Sequence, residues 1–173
     1  MLPLLIICVV VSGVLAGVYQ LTYEKIEENL DKDMKVAIEG IFGEGITYTE
    51  LTDKSESDCF VFEVKMDNGV IGYAANVMAD GFGGTINMMV GYETNGQIKS
   101  VKIISLSETP GLGSRVDDET YLSQYTGTSG ELVLKEDVDA IAGATISSKA
   151  VLAGVNRANS VLSDAGFIGG DGK

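Results

Sequence analysis

This chain of 173 residues contains no histidine. That removes the commonest general base, the commonest zinc ligand and the usual haem ligand together. Cysteine occurs only as Cys8 and Cys59, far apart and in segments of different character. They lack the spacing of an iron–sulfur or zinc site, Cys8 falls in a stretch that would lie in lipid, and no disulfide between them is expected. No metal centre is therefore expected, and any redox chemistry must belong to an organic cofactor. Basic residues are scarce too: 12 Lys and Arg against 25 Asp and Glu give a net charge of −13. A surface this acidic repels phosphate backbones and argues against nucleic acid as a partner; it suits transient docking on a cationic face, or simple solubility. Internal repeats and low-complexity tracts are absent, and the length suffices for one domain with its own core plus a small appendage.

Charge is missing altogether from the N-terminus. Met1 to Tyr23 carries no charged side chain, and Leu2 to Val18 is almost wholly apolar. About twenty such residues as a helix span roughly 30 Å, the thickness of a bilayer's hydrocarbon core. Residues 1–22 accordingly read as a transmembrane anchor. The competing reading is a cleaved signal peptide with a loose site at Val14-Leu15-Ala16. The apolar run exceeds a normal signal core and no basic n-region precedes it, which favours the anchor. Lys25, Lys32 and Lys35 follow the span and none precedes it, so charge bias alone gives no support to an exported C-terminal domain. Residues 23–42 are rich in Glu, Lys and Asp, with Ile26, Leu30, Met34, Ala37 and Ile41 at helical spacing. They predict an amphipathic connecting helix that stops at Gly43.

Beyond Cys59 the period changes. Phe60, Phe62 and Val64 alternate as in a strand, ended by the turn signal Asp67-Asn68-Gly69. Val70 to Met78 and Thr85 to Tyr92 read as further strands around the glycine-rich turn Asp80-Gly81-Phe82-Gly83-Gly84. Asn95-Gly96 marks another tight turn before a strand at Ile98 to Leu106. Successive strand–turn–strand units predict an antiparallel sheet. A helical stretch near Asp118 to Tyr125 and a short strand at Leu132 to Leu134 are expected next. Val151, Val155, Ala158 and Leu162 then recur at steps of four, three and four on one helical face. The class is α+β: an antiparallel sheet with flanking helices in one domain, residues 43–165, and a flexible tail, residues 166–173.

The most distinctive stretch runs from Asp139 to Ser148. It sets Thr145 directly after the Gly143-Ala144 pair and directly before the last helix, for which Ser147 or Ser148 is the expected N-cap. A hydroxyl there faces the open N–H groups and positive dipole end of the helix, which favour a phosphate group. Gly143 and Ala144 leave little side-chain bulk in a ligand's way. Asp139, Gly143, Ala144, Thr145 and Ser147 together resemble the flavinylation motif of the FMN-binding domain family. The resemblance implies that a dedicated flavin transferase attaches FMN through its phosphate to Thr145. One departure is visible: the family usually has Ser or Thr where this chain has Ala142.

Glu108-Thr109-Pro110-Gly111-Leu112-Gly113 carries the second resemblance. Proline followed by glycine forces a turn, and the glycines around Leu112 let backbone approach a flat ligand. The segment matches the family's loop that lies against the isoalloxazine ring. The Gly-aromatic-Gly-Gly turn resembles a further family feature, in which Phe82 either stacks on the flavin or closes the edge of the core. Ser147 and Ser148 either donate to the phosphate or cap the helix, and Asp139 is either the motif's leading acid or a turn residue. Arg115 either pairs with an anionic group of the flavin or is solvated beside Asp117 and Asp118.

The order of span, sheet and motif is similar to that of membrane-anchored flavoprotein subunits in this family. That likeness implies covalent FMN and one-electron transfer within an Rnf-type complex coupling ferredoxin:NAD+ oxidoreduction to Na+ or H+ translocation. It also implies integral-membrane, iron–sulfur and second flavinylated partner subunits, and an FMN domain outside a bacterial inner membrane. The chain would then be part of an ion-translocating oxidoreductase, with no catalytic acid or base of its own. Two other readings stay open. One is a stand-alone extracytoplasmic electron carrier or redox sensor. The other is a non-redox membrane-anchored binding module with Thr145 as a plain loop residue.

Overall fold

The computed structural model describes the backbone of residues 2–51, 59–67 and 69–168, with their side chains except in residues 2–6 and 20–31. The chain divides into two units, Met1–Lys35 and Val36–Lys173. The first is helical and belongs to α1, Leu2–Phe42. Its described apolar side chains, among them Ile7, Val10, Val14 and Val18, stand exposed. Among the described residues no helix is long and apolar enough to cross a membrane. Much of the expected span lies outside them: Met1 and the side chains of residues 2–6 and 20–22. The side chains of Ile26 and Leu30 of the expected connecting helix, Asn68 of the first turn and residues 169–173 of the tail also lie outside. The expected anchor and connecting helix form one uninterrupted helix.

In the second unit α1 ends as predicted. Gly43, at φ +97°, leaves the helix while its N–H still reaches Glu39 O at 2.8 Å. Ile38 and Ile41 are buried there. Five antiparallel strands follow: β1 (Thr47–Glu50), β2 (Cys59–Met66), β3 (Gly69–Asp80), β4 (Thr85–Glu93) and β5 (Ile98–Leu106). They pair strictly in chain order, β1-β2-β3-β4-β5. β4 is buried from Ile86 to Tyr92, so its sequence shows a nearly continuous apolar run rather than alternation. One sheet face presents Ala75, Val77, Met88, Val90 and Tyr92 to the main core. The other meets the end of α1, where Gly91 and Gly72 leave room for it. A Cβ on Gly91 would lie 2.4 Å from Ile41 Cγ2, and one on Gly72 would lie 2.7 Å from Phe42 Cε1.

The last helix, α3 (Thr145–Asp164), packs on the first face through Val151, Val155, Ala158 and Leu162, all fully buried. Gly154 permits the close approach, because a Cβ there would stand 2.9 Å from Met88 Cε. Between β5 and α3 run a 3-10 turn (Gly113–Asp117), α2 (Glu119–Leu122) and a second 3-10 turn (Ser123–Tyr125), where the sequence predicts helix. The two cysteines form no disulfide: Cys59 is buried in the core and Cys8 is exposed.

The strand expected at Leu132 to Leu134 does not form; only an isolated bridge pairs Leu134 with Val138. The reason is a side chain. Asn156 of α3 accepts from Leu132 N–H at 2.9 Å and donates to Leu132 O at 2.8 Å. Asn159 donates to Gly130 O one turn further on. Amide side chains thus replace the ladder a neighbouring strand would supply. Replacing Asn156 by Leu strands both Leu132 groups, at a cost of about 1–3 kcal/mol in thermal unfolding. A loss below about 0.5 kcal/mol, the range of neutral surface changes, would show that water takes over both bonds.

Candidate functional site

The two distinctive loops of the sequence meet in space. Phe82 from the β3–β4 turn, Glu108 to Gly113 from the segment after β5, and Gly143 to Ser147 at the start of α3 enclose a concavity of about 340 Å³. Within that second segment Pro110 and Gly111 stand outside the lining, as do Asp139 and Ser148 elsewhere. A depression of about 450 Å³ beside Gly154 and Arg157 is larger, but it holds neither loop. The smaller one is the candidate because an exposed threonine and an uncapped helix terminus converge there.

Thr145 is the first residue of α3, and its side chain is exposed. The N-cap is Ala144 (φ −125°, ψ 35°), and no side chain caps the helix. The expected capping role of Ser147 and Ser148 is therefore corrected. Ile141 to Ala144 form a tight turn, with Ala144 N–H on Ile141 O at 2.9 Å and Gly143 at φ +85°. That turn starts the helix earlier and carries both serines into its first turn, where both are buried. Ser148 Oγ accepts from Ile141 N–H and donates to Ala144 O, each at 3.0 Å. Its carbonyl accepts from Tyr121 Oη at 3.1 Å. Ser148 is thus a stitch that holds the motif turn, and Thr145 keeps the exposed hydroxyl.

Around Thr145 the walls are apolar and exposed: Phe82 at 69 %, Ile146 at 54 % and Leu112 at 44 %. Leu112 is thrust outward by its loop as the sequence predicts, with Gly111 at φ +75° and Leu112 N–H on Thr109 O at 3.2 Å. It leans on the motif, since a Cβ on Gly143 would lie 3.1 Å from Leu112 Cδ1. Sequence reasoning missed Ile146. Its signal was there: an apolar residue beside Thr145 that falls off the buried stripe of α3.

Glu108 lines the concavity from beneath. Its residue is only 8 % exposed, and the carboxylate turns into the wall rather than presenting itself to a ligand. Oε1 accepts from Phe82 N–H at 2.7 Å and Oε2 from Gly83 N–H at 3.1 Å. The neighbouring Ser147 hydroxyl and Thr109 N–H also favour its charged form. Burial pushes its pKa up, but these donors outweigh burial and hold the carboxyl below its ordinary value. The glycines around it follow from this packing. A Cβ on Gly81 would lie 2.0 Å from Oε1, and one on Gly113 would lie 2.2 Å from Oε2.

Because the folded pKa is depressed, ionised Glu108 stabilises the fold above its unfolded pKa of about 4.3. That contribution fades as pH falls from there through the lower folded value. Thermal melts between pH 7 and 3 should show this acid step in the parent and lack it in Glu108→Gln.

Arg115 and Asp139 stay apart from the concavity. Arg115 faces Asp118 at 4.0 Å with its side chain half exposed, the solvated alternative of the two foreseen. Asp139 is exposed, and its backbone N–H donates to Gln124 Oε1 at 2.9 Å. Among the described residues no acidic or thiol cluster could hold a metal ion.

The FMN-binding domain family matches residues 81–160, the stretch that contains all three walls. The chain is 34% identical over 115 residues to the G subunit of the Na(+)-translocating ferredoxin:NAD(+) oxidoreductase complex of Acetobacterium woodii, covering 60% of this chain and 55% of that one. The chain thus spans just over half the length of that relative. It is 25% identical over 162 residues to the G subunit of the proton-translocating ferredoxin:NAD(+) oxidoreductase complex of Clostridium ljungdahlii, covering 90% and 85%. Among solved structures, the C subunit of the Na(+)-translocating NADH-quinone reductase of Parabacteroides distasonis superposes with a TM-score of 0.63 at 17% identity, covering 82% of this chain and 94% of that one. The NqrC of Shewanella oneidensis gives 0.52 at 22% identity, covering 68% and 79%. These two establish a shared α+β fold.

Proposed function

From an FMN-binding domain match at residues 81–160, in a chain that resembles the G subunits of Rnf complexes, we propose a membrane-anchored electron-transfer protein that bears FMN on Thr145 and works within such a complex. The linkage is a phosphodiester from the Thr145 hydroxyl, made by a flavin transferase that reads the motif led by Asp139. One observation carries this reading: the exposed Thr145 hydroxyl stands at an uncapped helix start, inside a concavity walled by Phe82, Leu112 and Ile146. The open N–H groups and helix dipole suit a phosphate, and the exposed apolar walls suit a flat ring.

The bound FMN supplies the redox chemistry, taking and giving electrons; the chain fixes its position and surroundings. An electron relay needs a held ring with an exposed edge and no general base, consistent with the absence of histidine and the inward-turned Glu108. A covalent tether keeps the cofactor at an effective concentration that a diffusing ligand outside the cell would lose. In this reading residues 1–22 anchor the chain once in a bacterial inner membrane, with the FMN domain on the extracytoplasmic side. Its partners are the integral-membrane, iron–sulfur and second flavinylated subunits of a complex coupling ferredoxin:NAD+ oxidoreduction to Na+ or H+ translocation.

Intact-mass measurement of the chain made with the flavin transferase tests the reading. The expected mass is the polypeptide plus FMN less one water, with flavin fluorescence surviving on a denaturing gel. A bare polypeptide mass would overturn it.

A further inference from the structure

We infer that Glu108 is a positioning residue for the flavin ring, tying three separate wall segments into one rigid surface; this rests on the function proposed above. The walls come from chain segments far apart in sequence, and each carries one exposed apolar residue: Phe82, Leu112 and Ile146. Backbone pairing does not reach the rim. Past the bond from Ser107 N–H to Thr85 O at 3.1 Å, the tip of the β3–β4 turn donates from Phe82 and Gly83 to the Glu108 carboxylate instead. On its other side the same carboxylate and the Ser147 hydroxyl of α3 both border the space that a Cβ on Gly113 would fill. Gly81 and Gly113, where any side chain would strike Glu108, show how tightly both flanks close on it.

The chemistry needs an anion. The two groups bonded to the carboxylate, Phe82 N–H and Gly83 N–H, are both donors, and a carboxylate is acceptor-only, with two oxygens able to take several N–H and O–H bonds. Glutamine keeps the shape but turns an NH2 toward donors, leaving a buried N–H unanswered. The Phe82 turn and the first turn of α3 then lose their common tie. The acceptor hydroxyl of Thr145 is untouched, because Ser148 stitches its turn by separate bonds. Attachment and ring fixation are thus carried by different residues.

The experiment uses the full chain, loaded with FMN by the transferase, as parent, Glu108→Gln, Glu108→Asp and Ser147→Ala. Intact mass reports attachment, far-UV circular dichroism reports folding, and visible circular dichroism with fluorescence anisotropy reports how firmly the ring is held. The Gln variant should carry FMN in full while its visible dichroism roughly halves and its anisotropy falls, as expected when a supporting shell loosens. The Asp variant keeps the charge and should recover part of the signal. Ser147→Ala removes the neighbouring hydroxyl, so it keeps the test decisive if Glu108→Gln fails to fold, and it should shift both signals the same way by less. Parent-like dichroism and anisotropy in folded, loaded Gln or Ala variants would overturn the inference, as would folded Gln protein that takes up no FMN. A parent that takes up no FMN would instead overturn the attachment reading and not the tie itself, which the acid step in thermal melts reads separately.

Discussion

Thr145→Val should give a chain with the bare polypeptide mass and no flavin fluorescence after denaturation, while Thr145→Ser keeps the added FMN. The contrast isolates one atom. Valine matches threonine in shape and β-branching, and at an exposed first helical position the exchange costs only a few tenths of a kcal/mol. The fold, judged by far-UV circular dichroism and melting temperature, should stay within error of the parent. Serine retains the hydroxyl at the same helix start. The neighbouring hydroxyls are poor substitutes, because Ser147 and Ser148 are buried and Ser148 is bonded to Ala144 and Ile141. Flavin remaining on the Val variant would place the acceptor elsewhere and sink the site.

The second large effect is steric. Gly113→Ala puts a methyl group 2.2 Å from Glu108 Oε2, 2.8 Å from its Cδ and 3.0 Å from Ser147 Oγ. Gly81→Ala meets Oε1 at 2.0 Å and the Gly84 carbonyl at 2.9 Å. Neither glycine has a positive φ, so space rather than backbone conformation is at stake. Forcing atoms into packed surroundings costs about 1–3 kcal/mol. For a domain of this size each kcal/mol lowers the melting temperature by roughly 2–4 °C. The mechanism is tested by a cycle: in a Glu108→Ala background the space opens, and Gly113→Ala should cost much less than it does alone. Equal costs in both backgrounds would show that the carboxylate is not the obstacle.

The elements legible in the sequence were those with strong local signals. Tight turns bounded β4 and β5: Asn95 accepts from Gln97 N–H at 2.9 Å, and Gly96 takes φ +87°. The buried stripe of α3 followed from its period. β1 escaped notice because Thr47-Tyr48-Thr49-Glu50 is a mostly exposed edge strand, which needs no alternating apolar residues. The strand expected at Leu132 was lost to Asn156, a long-range partner that local patterning does not register.

The site divided in the same way. The meeting of Phe82, Leu112 and Thr145 followed from the resemblance, and the structure brings them together. The roles of Glu108, Ser147 and Ser148 did not, because side-chain direction depends on which segments pack against each other. Ala142, the motif's irregular position, is exposed beside the acceptor turn, and the bonds that shape that turn come from Ser148 and Ile141. A hydroxyl at residue 142 is thus not needed to build it.

The docking of α3 has a consequence for the order of maturation. The sheet pairs neighbour with neighbour, so each hairpin can close as its second strand emerges. Met88, Val90 and Tyr92 lie in the core that α3 completes, and Ser148 of that helix bonds the turn that presents Thr145 while Tyr121 holds its carbonyl. Thr145 is the first residue of the last element in chain order among the described residues. A transferase that recognises this presented turn would modify finished domains and pass over nascent ones, so cofactor loading would double as a check on folding.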